Sequence, residues 1–334
     1  MKLLVDIQKQ LKNHQLTIQF EIESTKLGIL GASGCGKSML LKCIAGIETP
    51  DTGRIQLGER ILYDDKQGIN LPPQKRKTGL LFQQYALFPH LTVTQNLQIV
   101  TQDQSFLVKL LQMFHLENVQ QSYPAQLSGG QKQRAAFARM LAAKPELILL
   151  DEPFAALDTS LKEELQIELQ KHLADFNGNV LIVSHSLDEL YRLCPALIVV
   201  SEKECVFAQT DQLFQQPQTV TAAKLTGCKN ILPIERIDAH TVCVLGWSQT
   251  LTVACEVQEK HRYIGIRAHD LLPNVSGVNQ LAVEYLYAQQ TPFEQNAWLN
   301  HEGTKLWWKG SKQLQIETVT EVAVLPEAIM ALSE

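Results

Sequence analysis

The stretch that most constrains this chain is Gly31-Ala32-Ser33-Gly34-Cys35-Gly36-Lys37-Ser38, set between an apolar strand-like run, 26–30, and a helical one, 38–47. Glycines at 31, 34 and 36 let the backbone turn tightly enough for successive N–H groups to converge on one point. The helix that follows aims the positive end of its dipole there. Such a loop cradles a polyphosphate. Lys37 is placed to reach the β- and γ-phosphates, and the Ser38 hydroxyl to hold Mg²⁺.

A second phosphate cradle follows. Leu127-Ser128-Gly129-Gly130-Gln131-Lys132-Gln133-Arg134 opens a helical segment running on through Ala138 and Leu141, so Ser-Gly-Gly again stands at a helix N-terminus where an anion is favoured. Next comes Asp151-Glu152, at the end of the buried-strand run Leu147-Ile148-Leu149-Leu150. Two adjacent carboxylates at the carboxyl end of a parallel-type strand are costly in a plain core but expected beside a phosphate-bound metal. A further strand of this kind, 180–183, ends at Ser184-His185.

With these residues in order, the chain resembles the ATP-binding subunit of an ABC transporter. The resemblance places the Walker A loop at 31–38, a Q-loop glutamine at Gln83, the signature at 127–134 and Walker B at 147–152. It also places a D-loop at Ala156-Leu157-Asp158 and a switch histidine at His185. It implies an α/β P-loop cassette over 1–215 with a helical subdomain at about 84–145. ATP would be held by Gly31 to Met39, that is Gly31, Ala32, Ser33, Gly34, Cys35, Gly36, Lys37, Ser38 and Met39, together with Gln83 and Asp158. Across a head-to-tail homodimer, Ser128, Gly129, Gly130 and Gln131 would face the γ-phosphate of the opposing subunit. Mg²⁺ falls to Ser38, Gln83 and Asp151, the general-base task to Glu152, and the catalytic set is Glu152, His185 and Lys37. Phe88-Pro89 sits where the family contacts its permease.

Length and composition agree. At 334 residues the chain exceeds what one core usually holds, and 45% hydrophobic content suffices for two. A formal net charge of −5 argues against a general nucleic-acid binder. The apolar run Leu3-Leu4-Val5 is too short for a signal peptide, and no segment approaches the roughly 20 apolar residues of a membrane span. Membrane work would therefore come through partner permease subunits, with the chain peripheral on the cytoplasmic face and an external substrate-binding protein engaged indirectly. Seven cysteines without metal or C-x-x-C spacing suit a reduced setting. Cys35, at a helix N-terminus in a loop that admits nucleotide, is expected to be a vulnerable thiol.

Pro217 marks a linker, 216–230, and the texture then changes to short alternating runs with a hairpin turn at His301-Glu302-Gly303. Region 231–334 reads as a small C-terminal β-barrel of the OB, TOBE or MOP-like kind, the junction residues Pro217, Val220, Ala223, Gly227 and Asn230 being similar to those that precede such barrels. The run Gly68 to Arg76 and the stretch Leu87 to Val93 are similar to ATPases that import molybdate and related oxyanions. The imported solute is accordingly expected to be molybdate, tungstate or sulfate; polyamine, sugar or iron import stays open, as does a soluble ABC ATPase outside transport. Lys75 and Arg76 read as solvated charges. Ser276-Gly277-Val278-Asn279 only loosely resembles an oxyanion-binding segment, so the barrel is expected to be structural or dimer-stabilising. Two departures from the family stand out: no aromatic ring lies between Asp6 and Thr17 to stack on adenine, His14 being the nearest substitute, and Ala155 replaces the serine common before the D-loop alanine.

Overall fold

The described chain divides into two units, Met1–Thr210 and Asp211–Glu334, each packed mainly on itself. The computed structural model describes residues 1–23, 26–82, 84–155, 159–174, 176–201 and 205–334. In the first unit a five-stranded antiparallel sheet starts with the hairpin Lys2–Gln10 and Gln15–Glu23. Leu3, Val5 and Ile7 alternate with polar residues, as do Leu16, Ile18, Phe20 and Ile22, so each strand buries one face and wets the other.

The second sheet of that unit has six strands in the order Cys205–Gln209, Ala196–Val200, Lys26–Gly31, Asn179–Val183, Leu147–Asp151 and Thr78–Leu81. All neighbours are parallel except the Cys205–Gln209 edge. Leu147, Ile148, Leu149 and Leu150 are all fully buried, which explains why this strand is continuously apolar rather than alternating. Strand ends that carry chemistry, at Gly31, Asp151 and Val183, are therefore brought to one edge of a single parallel sheet. Ligands bind at that edge in open α/β sheets.

Between Thr78–Leu81 and Leu147–Asp151 the chain is helical: Val93–Gln98, Gln104–Met113 and Gly129–Ala142. Thr92 starts the first with a capping box, accepting the Gln95 N–H at 3.3 Å while Gln95 Oε1 accepts the Thr92 N–H at 2.9 Å.

The second unit is built of three antiparallel sheets around one apolar cluster that includes Val242, Ile264, Leu281, Leu299, Leu306, Val322 and Ile329. The turn expected at 301–303 joins Glu294–His301 to Thr304–Ser311, with φ of 45° at Glu302 and 81° at Gly303. Trp298 and Trp307 face each other across it and stack at 5.6 Å, Tyr287 adding a third ring at 4.6 Å from Trp298. Segment 216–230 contains the helix Val220–Leu225, capped by Thr219, with Ala222 and Ala223 fully buried, so part of it is packed structure. The Asn279 side-chain amide is bonded to the backbone of Thr252 and Val324.

Candidate functional site

The first cradle forms as strand Lys26–Gly31 leaves the sheet and helix Lys37–Ala45 begins. Gly34 and Gly36 have φ of 82° and 103°, values that L side chains rarely adopt, so the loop's glycines are required by its shape. Lys37 is buried, and its Nζ donates to the carbonyls of Gly31 and Ala32, each at 2.8 Å. Cys35 is also buried, at 5% exposure, and a Cβ added at Gly31 would lie 2.7 Å from its Sγ. The expectation of a vulnerable thiol at Cys35 is thus corrected: its side chain is buried against Gly31, with Lys37 Nζ 4.0 Å from its Sγ, and is shielded from reagents.

Asp151 and Glu152 stand beside this loop. Ser38 Oγ donates to Asp151 Oδ1 at 2.9 Å, bringing together two oxygen donors that the sequence separates widely. Burial pushes the Asp151 carboxyl up, and the Ser38 hydrogen bond opposes that push. The pair fits Mg²⁺, a hard cation that takes oxygen ligands and keeps several waters, so that a hydroxyl, a carboxylate and substrate phosphates complete its shell. Among the described residues no group of three or more His, Cys, Asp or Glu side chains could hold a metal.

Glu152 follows in a left-handed conformation, φ 49°, unusual for a residue with a Cβ, while its N–H still donates to Val183 O at 2.9 Å. The consequence is a carboxylate turned toward His185, whose Nε2 lies 2.5 Å from Glu152 Oε1. Glu152, His185, Asp151, Ser38 and Lys37 thus gather on the strand-end edge.

Ser128 caps the signature helix Gly129–Ala142 with a reciprocal pair: Gln131 Oε1 accepts its N–H at 2.9 Å and Ser128 Oγ accepts the Gln131 N–H at 3.3 Å. Ser128 and Gly129 are exposed, Gly130 buried, so the helix N-terminus is presented outward. Gln83 and Asp158 lie outside the described residues. The hairpin tip near His14 lies over the first cradle, since a Cβ at Gly36 would meet Leu11 and Leu16 side chains at 3.0 Å. His14 itself is half-buried.

One residue overturns its sequence reading. Arg76, expected as a solvated charge, is fully buried and caps the C-terminus of the P-loop helix. Its Nη1 donates to the carbonyls of Cys43 and Ile44 at 2.8 and 3.0 Å, Nε to Leu71 O at 2.7 Å and Nη2 to Asn70 Oδ1 at 2.7 Å. A cation at a helix C-terminus satisfies orphan carbonyls and the dipole together. Its partners are mostly backbone atoms, and no side-chain pattern announces them.

Residues 11–155 match the family model described as ABC transporter. The chain is 39% identical over 276 residues to the molybdenum import ATP-binding protein ModC of Shewanella oneidensis, covering 79% of this chain and 76% of that protein. The chain belongs to the ABC transporter ATP-binding family. Other members of the family are also close. ModC of Haemophilus ducreyi is 41% identical over 205 residues, 60% of this chain, and the Fe(3+) ions import ATP-binding protein FbpC of Haemophilus influenzae 37% identical over 230 residues, 66% of this chain. The matched part spans 58% of the first and 65% of the second. Among solved structures, a dimeric ATP-binding cassette in a post-hydrolysis state bound to ADP and Pi superposes with a TM-score of 0.53 at 26% identity, covering 63% of this chain and 99% of that one. The first unit is therefore an ABC cassette, and the second carries extra β-structure beyond it. Among the described residues no helix is long and apolar enough to cross a membrane.

Proposed function

We propose that this chain is the ATP-hydrolysing subunit of an ABC importer, working as a homodimer on the cytoplasmic side of partner permease subunits, with a small oxyanion such as molybdate as cargo. The observation that carries the reading is the pairing of Glu152 with His185 beside the Ser38–Asp151 contact. Lys37 would exchange its two carbonyl partners for β- and γ-phosphate oxygens as the loop N–H groups of 31–39 wrap the polyphosphate. Ser38 and Asp151, with Gln83, would hold Mg²⁺, which when bound neutralises charge on the phosphates. Glu152 would take a proton from the attacking water, and His185, hydrogen-bonded to Glu152, would keep that carboxylate and the water in line with the γ-phosphate. Ser128, Gly129, Gly130 and Gln131 would close on the partner subunit's ATP, with Asp158 at the dimer contact.

The oxyanion assignment leans on the ModC relatives and the segments 68–76 and 87–93. The similar identity of FbpC, which imports Fe(3+) ions by its name, supports iron as the second reading. Phe88, exposed, with Arg139 Cζ 5.3 Å over its ring and its backbone pinned by Asn96, is the proposed permease contact. Steady-state hydrolysis tests the core of the reading: Glu152→Gln should turn over ATP ~10²–10⁴-fold more slowly while still binding it. Turnover at the wild-type rate would remove Glu152 from the reaction.

A further inference from the structure

Two sets of ion pairs outside the cradle converge on one helix. That helix, Thr159–Ala174, lies in the chain just beyond the strand end bearing Asp151 and Glu152. Near its start Lys162 Nζ is 2.5 Å from Glu189 Oε1. Glu189 is only 3% exposed, and its second carboxylate oxygen accepts a hydrogen bond from Ser184 Oγ. Ser184 Oγ also accepts the Ser186 N–H at 3.0 Å, and Ser186 Oγ accepts the Glu189 N–H at 3.4 Å. Ser184 and Ser186 flank His185. The buried Glu189 carboxylate therefore links Lys162 to Ser184, and Ser184 Oγ together with the Glu189 N–H ties in Ser186, so both neighbours of the histidine that meets Glu152 belong to one network.

Farther along the same helix, Glu164 Oε1 is 3.0 Å from Arg134 Nη2 and Glu168 Oε2 is 3.0 Å from Arg134 Nε. Arg134 sits in the second turn of the signature helix. Glu164 is exposed, but Arg134, Glu168 and Glu189 are largely buried; breaking the Arg134–Glu168 or Lys162–Glu189 pair leaves an uncompensated charge, so those two contacts hold discrete arrangements rather than sliding freely. A helix joins them.

We propose that Thr159–Ala174 is a tie-rod coupling engagement of the signature helix to the histidine switch, with Arg134, Lys162 and Glu189 as positioning residues for hydrolysis. It rests on the hydrolytic reading of Glu152 and His185. When Ser128 to Gly130 close on the partner's nucleotide, displacement of the signature helix passes through Arg134 to Glu164 and Glu168. It then passes along the helix and through Lys162 and Glu189 to the backbone around His185. Alignment of His185 with Glu152 then depends on both subunits being engaged.

The test uses the full chain and compares ATP turnover with Mg-ATP binding. Lys162 is 30% exposed, so Lys162→Met disturbs packing less than a change at buried Glu189, and unchanged Mg-ATP binding reports that the fold is kept. Lys162→Met and Arg134→Met are each expected to lower kcat about tenfold with Kd for Mg-ATP changed by less than roughly twofold. Lys162→Arg should restore most of the rate. The double variant Lys162→Met/Arg134→Met should be no slower than the slower single one, because both act through one helix. Wild-type kcat in Lys162→Met, no rescue by arginine, or losses that multiply in the double variant would each overturn the coupling. Absence of Glu152-dependent turnover in the unmodified chain would instead sink the functional reading beneath it.

Discussion

At Glu152 the backbone takes a φ of 49° and the side chain meets His185 at 2.5 Å, so an unfavourable local conformation is held where a reacting water would be activated. The base end of the nucleotide is less well provided. No aromatic ring lies between Asp6 and Thr17, and the side chains that reach the P-loop from the first hairpin are Leu11 and Leu16. Without a stacking ring, the ~1–3 kcal/mol typical of base–aromatic contacts is missing, and GTP should compete with ATP to within about tenfold in an equilibrium displacement assay. Preference for ATP above about a hundredfold would mean that another side chain supplies the platform. The placing of Asp151, Glu152 and His185 near neighbouring strand ends could be read in the sequence because the apolar runs 147–150 and 180–183 stop just before them, while their roles came only from the family resemblance. Cys35 was misread because spacing places a residue in a loop without saying which way its side chain turns, and here the thiol packs inward against Gly31.

Among elements, the parallel strands and the two glycine-rich helix starts could be read directly, since continuous apolar runs and Gly-Lys-Ser or Ser-Gly-Gly mark them. What joins one element to another could not. Arg76 clamps the P-loop helix through backbone carbonyls, and Glu168 holds the signature helix through Arg134, and neither contact follows from local pattern. Burial alone would push the Glu168 carboxyl up, but neighbouring His172 and Arg134 more than offset this and hold it below the usual range. A carboxyl depressed on folding adds stability above its unfolded pKa, ~4.3, and loses that contribution as pH falls through the folded value. Wild type should therefore exceed Glu168→Gln by about 1–2 kcal/mol in urea denaturation near neutrality, and the margin should shrink below about pH 4. A margin unchanged down to about pH 3 would show that the ion pair contributes nothing.

For the whole molecule, the homodimer proposed above would give the signature loop its use: Ser128 caps it and presents it outward, where a second nucleotide-loaded subunit would meet it. The α/β cassette and the β-rich second unit were both legible, the first from ordered motifs and the second from alternating runs and the 301–303 turn. The cargo was not, because relatives named for molybdenum import and for Fe(3+) import match the chain at similar identity. Sedimentation of Glu152→Gln with saturating Mg-ATP or Mg-ADP tests the central claim most directly. The account predicts a stable dimer retaining ATP in the first case and monomers in the second. The same sedimentation with either nucleotide, or rapid conversion of the bound ATP to ADP, would contradict it.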